Sequence, residues 1–397
     1  MKTIIERPNY SLRVTPFVGT NLVKVFTGQR RVGKSYLMLQ VMESLRQAGT
    51  HIIHIDKEKY EFDFIKSYVD LMDYIEQHKK EQNALFIDEI QDIDSFEKAL
   101  RSLYNDPAFD IYITGSNATM LSGELATYLS GRYVEIRVHA LSYAEFLVFH
   151  QQTDTAEAFT KYLQFGGLPN LIHLPLQASV VYDYLKNVYN TILVKDVIKR
   201  NQVRNVYFLE NLVNYVADNI GSIVSSKRIS DYLRSQKLPI SNNTVYDYLG
   251  FLENSFFITK VNRAAIQGRK VFEIHQKYYF EDIGLRNAIV GYRPNDIHKL
   301  LENVVHNHLV INEYAVTIGV DGVNEIDFVA EKNGEKLYVQ VCYLLQDPST
   351  VEREFGNLLN IPDQYPKYVV SMDSFISPNT YRGIKHLTVS AFLLEIH

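Results

Sequence analysis

The 397-residue chain is poor in several things, and each shortage excludes a class of protein. It has a single cysteine, Cys342, so no disulfide framework can hold it together. No window approaches the roughly 18 uninterrupted apolar residues of a membrane span; even VEIRVHALSYAEFLVFH carries charges throughout. The opening MKTIIERPNYSLRV breaks any apolar run with charge and gives no sign of secretion. A cytoplasmic protein with no membrane contact is the expectation. The net charge of -5 exerts no global pull on nucleic acid, so any such binding has to come from a local patch. Low-complexity tracts and internal repeats are absent too. What remains, 46% hydrophobic with 28 tyrosines and no tryptophan, is a globular composition, and the length implies two or three domains.

Against that background one stretch stands out. VFTGQRRVGKSYLML, residues 25–39, runs from an apolar strand through a glycine-bracketed loop into residues at helical spacing. GxxxxGKS in that context is a phosphate cradle: backbone N–H groups at a helix N-terminus wrap the phosphates, Lys34 reaches the β- and γ-phosphates, and Ser35 faces Mg²⁺. The cradle residues are Gly28, Gln29, Arg30, Arg31, Val32, Gly33, Lys34, Ser35 and Tyr36. Arg30 and Arg31, in variable positions, read as spacers rather than catalysts.

Further apolar strands follow at HIIHID and ALFIDEIQ with an amphipathic stretch between them, as a parallel sheet requires. The second ends in Asp88, placed to join the Mg²⁺ shell, and Glu89, placed to polarise an attacking water. DIYITGSNA then brings Ser116 and Asn117 to the same sheet edge, where the Asn117 amide could orient water or touch the γ-phosphate; the same Gly-Ser-Asn also makes ordinary turns.

GQRRVGKS, LFIDEIQ, TGSNA and YLSGRYVEIRVHALSYAEFL, in that order, resemble the prokaryotic AAA+ type ATPases that carry a C-terminal restriction-endonuclease-like domain. The resemblance implies ATP with Mg²⁺ as the bound pair and catalytic roles for Lys34, Glu89 and Asn117. It also makes Arg132, after Gly131, a sensor or arginine finger, acting in cis or, in a homo-oligomer, in trans.

Residues 141–210 read as a helical lid or linker, broken at FGGLP, where Gly166-Gly167 ahead of Pro169 suggests a helix stop and hinge. Lys195-Asp196 reads as a structural ion pair ahead of the alternative, a contact with nucleotide. The span 211–265 has the order of a winged helix-turn-helix, with Ser226 and Ser241 as N-caps and Ile229, Leu233, Val245, Leu249 and Leu252 as its core. From Ser222 to Lys270, eight basic residues (Lys227, Arg228, Arg234, Lys237, Lys260, Arg263, Arg269, Lys270) face three acids (Asp231, Asp247, Glu253), a local charge of +5. Asn242, Asn243 and Thr244 open the helix that would read DNA; contact with protein, or a rigid lid, is the other use of such a unit.

Residues 270–397 resemble the PD-(D/E)XK nuclease core. Glu302 on a helix and Asp327 on a strand fill two of its places, and Asn333-Gly334 is a strong hairpin turn. Gln340 and Cys342 stand where an acid and a lysine are required. An amide binds a hard cation poorly and a thiol carries no positive charge, so the expectation is a nuclease-like fold without nuclease chemistry, and a buried, unreactive Cys342.

The expected architecture is an α/β P-loop NTPase core of AAA+/ASCE type (residues 1–140), followed by the helical linker, the winged-helix-like unit and the α/β nuclease-like domain. The expected function is a Mg²⁺-dependent ATPase coupling nucleotide state to a C-terminal module that binds DNA or a protein. The alternative is a slow-turnover nucleotide switch or interaction protein in regulation or defence, and a metal-dependent nuclease is the third and weakest reading.

Overall fold

The computed structural model describes residues 5–121, 129–237, 240–266, 271–322, 324–373 and 380–396, and the chain divides into two compact units. The first comprises residues up to His139 together with Asn254–Phe256. Its elements are α1 (Pro8–Val14), β1 (Val23–Thr27), α2 (Lys34–Gln47), β2 (His51–Asp56), α3 (Tyr68–His78), β3 (Asn83–Asp88), α4 (Phe96–Tyr104), β4 (Phe109–Gly115) and β5 (Tyr133–Arg137). The five strands form one parallel sheet in the order β2-β3-β4-β1-β5. β1 and β3 are buried at every position, as apolar strands covered on both faces must be. α3 begins at a Ser67–Asp70 capping box, a start the periodicity alone does not fix.

This order has one consequence for chemistry. β4 lies between β1, which feeds the glycine loop, and β3, which ends in Asp88, so side chains at the C-terminal end of β4 stand between loop and carboxylates.

The second unit comprises Ala140–Glu253 and Phe257–His397. Its helical part holds α5 (Tyr143–Phe149), α6 (Ala156–Phe165), α7 (Ala178–Thr191), α8 (Val206–Asp218), α9 (Ser226–Ser235) and α10 (Asn242–Asn254). α7 runs on into a π-helical segment, Ile192–Lys199, on which Lys195 is exposed and Asp196 buried. Adjacent helical residues do not face each other, which separates these two side chains. Then come β6 (Ile258–Ala265), β7 (Val271–Phe280), α11 (Ile283–Val290), α12 (Ile297–Ile311), β8 (Ala315–Asp321), β9 (Asn324–Lys332), β10 (Glu335–Val341), α13 (Pro348–Leu359), β11 (Lys367–Ser371), β12 (Thr380–Tyr381), β13 (Ile384–Thr388) and α14 (Val389–Glu395). These strands make one eight-stranded sheet, β12-β13-β11-β10-β9-β8-β6-β7. The hairpin at 258–280, read from sequence as a wing, is therefore also the edge of the C-terminal sheet, with β6 parallel to β8. Asn333 and Gly334 form the two-residue β9–β10 turn, both at positive φ.

The α9–α10 core is the expected one: Ile229, Leu233, Val245, Leu249 and Leu252 are all buried. Ser241 accepts from the Thr244 N–H as an N-cap. The cap of α9 is Ser225 rather than Ser226, since Ser225 Oγ receives the Arg228 N–H. Val224 bridges Gln276 of β7. Pro239, between α9 and α10, lies outside the described residues, as do Arg269 and Lys270.

The Gly166-Gly167 break is no free hinge. The buried Asp282 carboxylate accepts the Gly167 N–H at 2.7 Å and caps α11 through Leu285 N at 2.9 Å. A Cβ on Gly166 would lie 2.5 Å from the Asp282 oxygens, one on Gly167 2.3 Å from the Leu141 carbonyl oxygen, and one on Gly284 2.0 Å from that of Phe165. Close approach, not mobility, demands glycine here. Arg286, fully enclosed, completes the joint by donating to Ala217 O and pairing with Asp296 at 2.7 Å.

Burial pushes the Asp282 carboxyl up to about 6, against the hydrogen bonds from Gly167 and Leu285 that pull it down. A folded pKa above the unfolded value gives stability that is full below the unfolded pKa and lost as pH rises through about 6. The unfolding free energy of wild type minus that of Asp282→Asn should fall by about 2 kcal/mol between pH 4 and 7 in urea melts. A difference that does not vary with pH would refute the account.

Candidate functional site

The site is built at the C-terminal edge of the five-stranded sheet. β1 delivers Gly28 at φ +141°, where a Cβ would strike the Val138 carbonyl oxygen at 2.1 Å, so only glycine lets the chain turn there. The loop passes Arg31 and Gly33, both at positive φ, and enters α2 at Lys34. It is tied down from outside by Arg7, whose guanidinium donates to Val32 O at 3.1 Å and His139 O at 3.0 Å. The spacing gives no hint of that anchor. Gln29 and Val32 are wholly enclosed, Arg31 and Tyr36 are exposed, and Ser35 is half-buried.

The Lys34 ammonium, buried, lies on the loop's own carbonyls, Gly28 O at 3.0 Å and Gln29 O at 3.1 Å, with Glu89 Oε1 at 3.9 Å. Both amide atoms of the Gln29 side chain lack a hydrogen-bond partner. A loop with open backbone donors, an ammonium inside it and an unpaired buried amide suits an anionic, hydrogen-bonding guest such as a polyphosphate. Ser35 and Asp88 stand close enough for a hydrogen bond, the oxygen pair a hard cation prefers.

β3 presents Asp88 and Glu89, the latter with left-handed backbone at φ +54°. Thr114 on β4 joins them: its hydroxyl donates to Asp88 and accepts the Glu89 N–H at 2.9 Å. Burial raises the pKa of Asp88, against the hydrogen bonds from Ser35 and Thr114. Burial would raise Glu89 as well. Lys34 and Arg30, with hydrogen bonds from Gln91 and Ser116, outweigh it and hold the carboxyl below the usual range.

Arg30 is therefore no spacer. Its guanidinium binds Glu58 Oε1 at 2.7 Å and comes within 4.0 Å of Glu89, linking the loop to the segment after β2 and to the β3 carboxylate. Neither Arg30 nor Glu58 is marked by motif spacing. Asn117 is buried, but its amide oxygen accepts the N–H and hydroxyl of Thr119 at 2.7 and 2.5 Å, turning it into its own turn. Ser116 makes the contact to Glu89 instead, at 3.0 Å. Arg132 is not brought to the site. β5 runs parallel to β1 with Tyr133 beside Val23 and Arg137 beside Thr27, which puts Arg132 at the far end of the strands, about 16 Å back along them. Its guanidinium lies over the Tyr104 ring at 4.9 Å.

In the second unit the two expected nuclease-like acids do meet, around a residue the sequence reading passed over. Lys277 of β7, almost fully buried, lies 2.8 Å from Glu302, 2.9 Å from Glu325 and 3.7 Å from Asp327. Burial would lower the Lys277 pKa, but the three carboxylates raise it above its ordinary value. Burial and the neighbouring Glu302 raise the Asp327 pKa above its ordinary value, against the opposing pull of Lys277. Gln340 turns its amide oxygen to the Asp327 N–H at 3.3 Å. Cys342 lies just beyond β10, buried, its thiol pKa driven up by burial. Among the described residues no three His, Cys, Asp or Glu side chains are grouped to hold a metal ion. A divalent cation does not fit this cluster as it stands.

The basic patch is smaller than its residue count suggests. Lys260 pairs with Glu253 at 3.4 Å, Arg263 with Glu325 at 3.6 Å and the exposed Arg234 with Asp231 at 3.7 Å, while Lys227, Arg228 and Lys237 are exposed. No helix among the described residues is long and apolar enough to cross a membrane.

An AAA domain family matches residues 20–147, and a domain of unknown function (DUF8612) matches residues 156–296. An uncharacterized protein of Haemophilus influenzae is 34% identical over 406 residues, covering 99% of this chain and 100% of that protein. One of Methanocaldococcus jannaschii is 28% identical over 350 residues, covering 84% of this chain and 77% of that protein. Among solved structures, a Walker-type ATPase of Pyrococcus abyssi aligns with TM-score 0.47 at 14% identity, covering 72% of this chain and 96% of that one.

If close contact at Val138 fixes the loop, Gly28→Ala should destabilise the first unit by about 2 kcal/mol or more, read as a lower thermal midpoint. Unchanged melting would mean that the loop can move away from Val138.

Proposed function

Because this chain belongs to one family with the Haemophilus influenzae protein and carries an AAA domain on a P-loop NTPase fold, we propose that it binds and hydrolyses ATP with Mg²⁺. The observation that carries the reading is Lys34, a buried ammonium resting on the loop's carbonyls beside Glu89. The loop N–H groups hold the β- and γ-phosphates, and Lys34 leaves Gly28 O and Gln29 O to meet them. Ser35 and Asp88 would hold Mg²⁺, which supplies charge neutralisation on the phosphate oxygens. Glu89, kept ionised by Lys34 and Arg30, orients the attacking water and takes its proton. Arg30 acts as a positioning residue through Glu89.

Nucleotide state is then passed to the C-terminal part of the chain. The order α8, Val224 bridge, α9, α10 and the β6–β7 hairpin supports a winged-helix-like unit. Exposed Lys227, Arg228, Arg234 and Lys237, with Asn242 and Asn243 at the start of α10, form the face offered to DNA, a footprint of fewer charges than the sequence count suggested. For Arg132 to reach a phosphate, a second copy of the chain has to supply it, because the residue stands at the wrong edge of its own sheet.

A second reading has its own support. Glu89 is held by Gln91, Ser116, Lys34 and Arg30 together, the arrangement of a base kept waiting. That suits a slow switch that signals through its ATP-bound state to a protein partner.

The test is steady-state ATP hydrolysis by the full chain with and without duplex and single-stranded DNA. Lys34→Ala should lose ATP binding and turnover together, whereas Glu89→Gln should bind ATP and turn over at least about 100-fold more slowly. Lys34→Ala binding ATP like wild type would end the proposal; ATP binding with negligible turnover in every condition would favour the switch. Removing Arg30 should release the restraint on the Glu89 carboxyl. The acid-side midpoint of the turnover profile in Arg30→Gln is expected to move to higher pH, and an unmoved midpoint would deny Arg30 its positioning role.

A further inference from the structure

The nuclease-like resemblance implies a divalent metal between Glu302 and Asp327, and the geometry found there disagrees with it. We propose that Lys277 is the resident cation of this centre: its ammonium is the positive charge that Glu302, Glu325 and Asp327 share, and the centre works without a metal. Three independent features of the second unit support this.

The first is occupancy. Lys277 enters from β7, a strand outside the nuclease-like motif, with its side chain 4% exposed and Nζ 2.8, 2.9 and 3.7 Å from the three carboxylates. A divalent ion would need carboxylate oxygens at about 2.0–2.6 Å converging on a point. Here Glu302 and Glu325 meet an ammonium at hydrogen-bond range with Asp327 at ion-pair distance, and an ammonium binds through directed donors with no coordination demand.

The second is the state of the remaining ligand atoms. The oxygen of Glu302 nearest Lys277 also takes the Tyr279 hydroxyl at 2.6 Å, and Asp327 Oδ2 takes the Val341 N–H at 2.8 Å. Gln340, in the place of a metal-binding acid, has its amide oxygen turned to the Asp327 N–H. These hydrogen bonds hold the carboxylates in an arrangement built for the lysine.

The third is enclosure. The turn before α9 lays Gly221 against Glu302 so closely that a Cβ would meet the carboxylate oxygen at 2.8 Å. The same turn bonds its Gly221 N–H to Tyr278 O, and Val224 pairs with Gln276, on either side of Lys277 along β7. The α8–α9 connection thereby packs over Glu302 and along β7 on both sides of Lys277, leaving the Glu302 and Asp327 side chains only 14% and 13% exposed.

The experiment titrates the nucleotide-free full chain with Mn²⁺ and counts bound ion by electron paramagnetic resonance. Wild type should show no Mn²⁺ site that Asp327→Asn removes. Lys277→Ala, its fold checked by circular dichroism, should gain one site at least tenfold tighter than any wild-type site near Asp327, and Lys277→Ala/Asp327→Asn should lose it. A wild-type site abolished by Asp327→Asn would overturn the proposal, as would a folded Lys277→Ala that gains none. If Lys277→Ala does not fold, Lys277→Met keeps the stem without the charge, and the wild-type against Asp327→Asn comparison decides without either variant. None of these readouts depends on ATP turnover.

Discussion

An ammonium taken out of water must be met from within the protein, and this constraint shapes both units. In the first, Lys34 lies inside a loop that sets two backbone carbonyls against it, with the Glu89 carboxylate at 3.9 Å, the place proposed above for a phosphate. In the second, Lys277 has three carboxylates, two of them at close range. The same side chain thus serves opposite ends. Backbone carbonyls suit the exchange proposed for Lys34, whereas the carboxylates make Lys277 part of the fold.

The arrangement around Lys34 depends on strand order. A parallel sheet projects its useful side chains from the C-terminal ends of its strands, and placing β4 between β1 and β3 makes Thr114 the connection between the Asp88 carboxylate and the Glu89 backbone. Through that hydroxyl the Asp88 oxygen and the Glu89 backbone are held together, so the metal-binding and water-orienting roles proposed for them share one mechanical support.

Much of this was legible in the sequence where the signal is local. The glycine loop between a strand and a helix, the strand ending in Asp88-Glu89, the Asn333-Gly334 turn and the α9–α10 core all follow from spacing within a few residues. What escaped depends on register and on close approach between distant segments. Arg30 meets Glu58 only because β2 lies beside β3, and Arg132 falls at the wrong sheet edge because β5 runs parallel to β1. Gly166-Gly167 looks like a hinge until Asp282 and Leu141 arrive against it from other parts of the chain. Lys277 had no motif to announce it, and the patch count that included Lys260 and Arg263 could not foresee their acidic partners.

The β6–β7 hairpin is a shared wall. One side of its outer strand receives Val224 from the turn ahead of α9, while its inner neighbour β6 is hydrogen-bonded to β8 of the large sheet. A hairpin at the edge of an independent domain can tilt on its own; one hydrogen-bonded into the large sheet cannot. Anything that pulls on the α9–α10 pair pulls on the strand that carries Lys277, and so on the carboxylates beneath it. The C-terminal sheet then acts as an anchor plate for those helices, and its buried charges set how stiffly they are mounted.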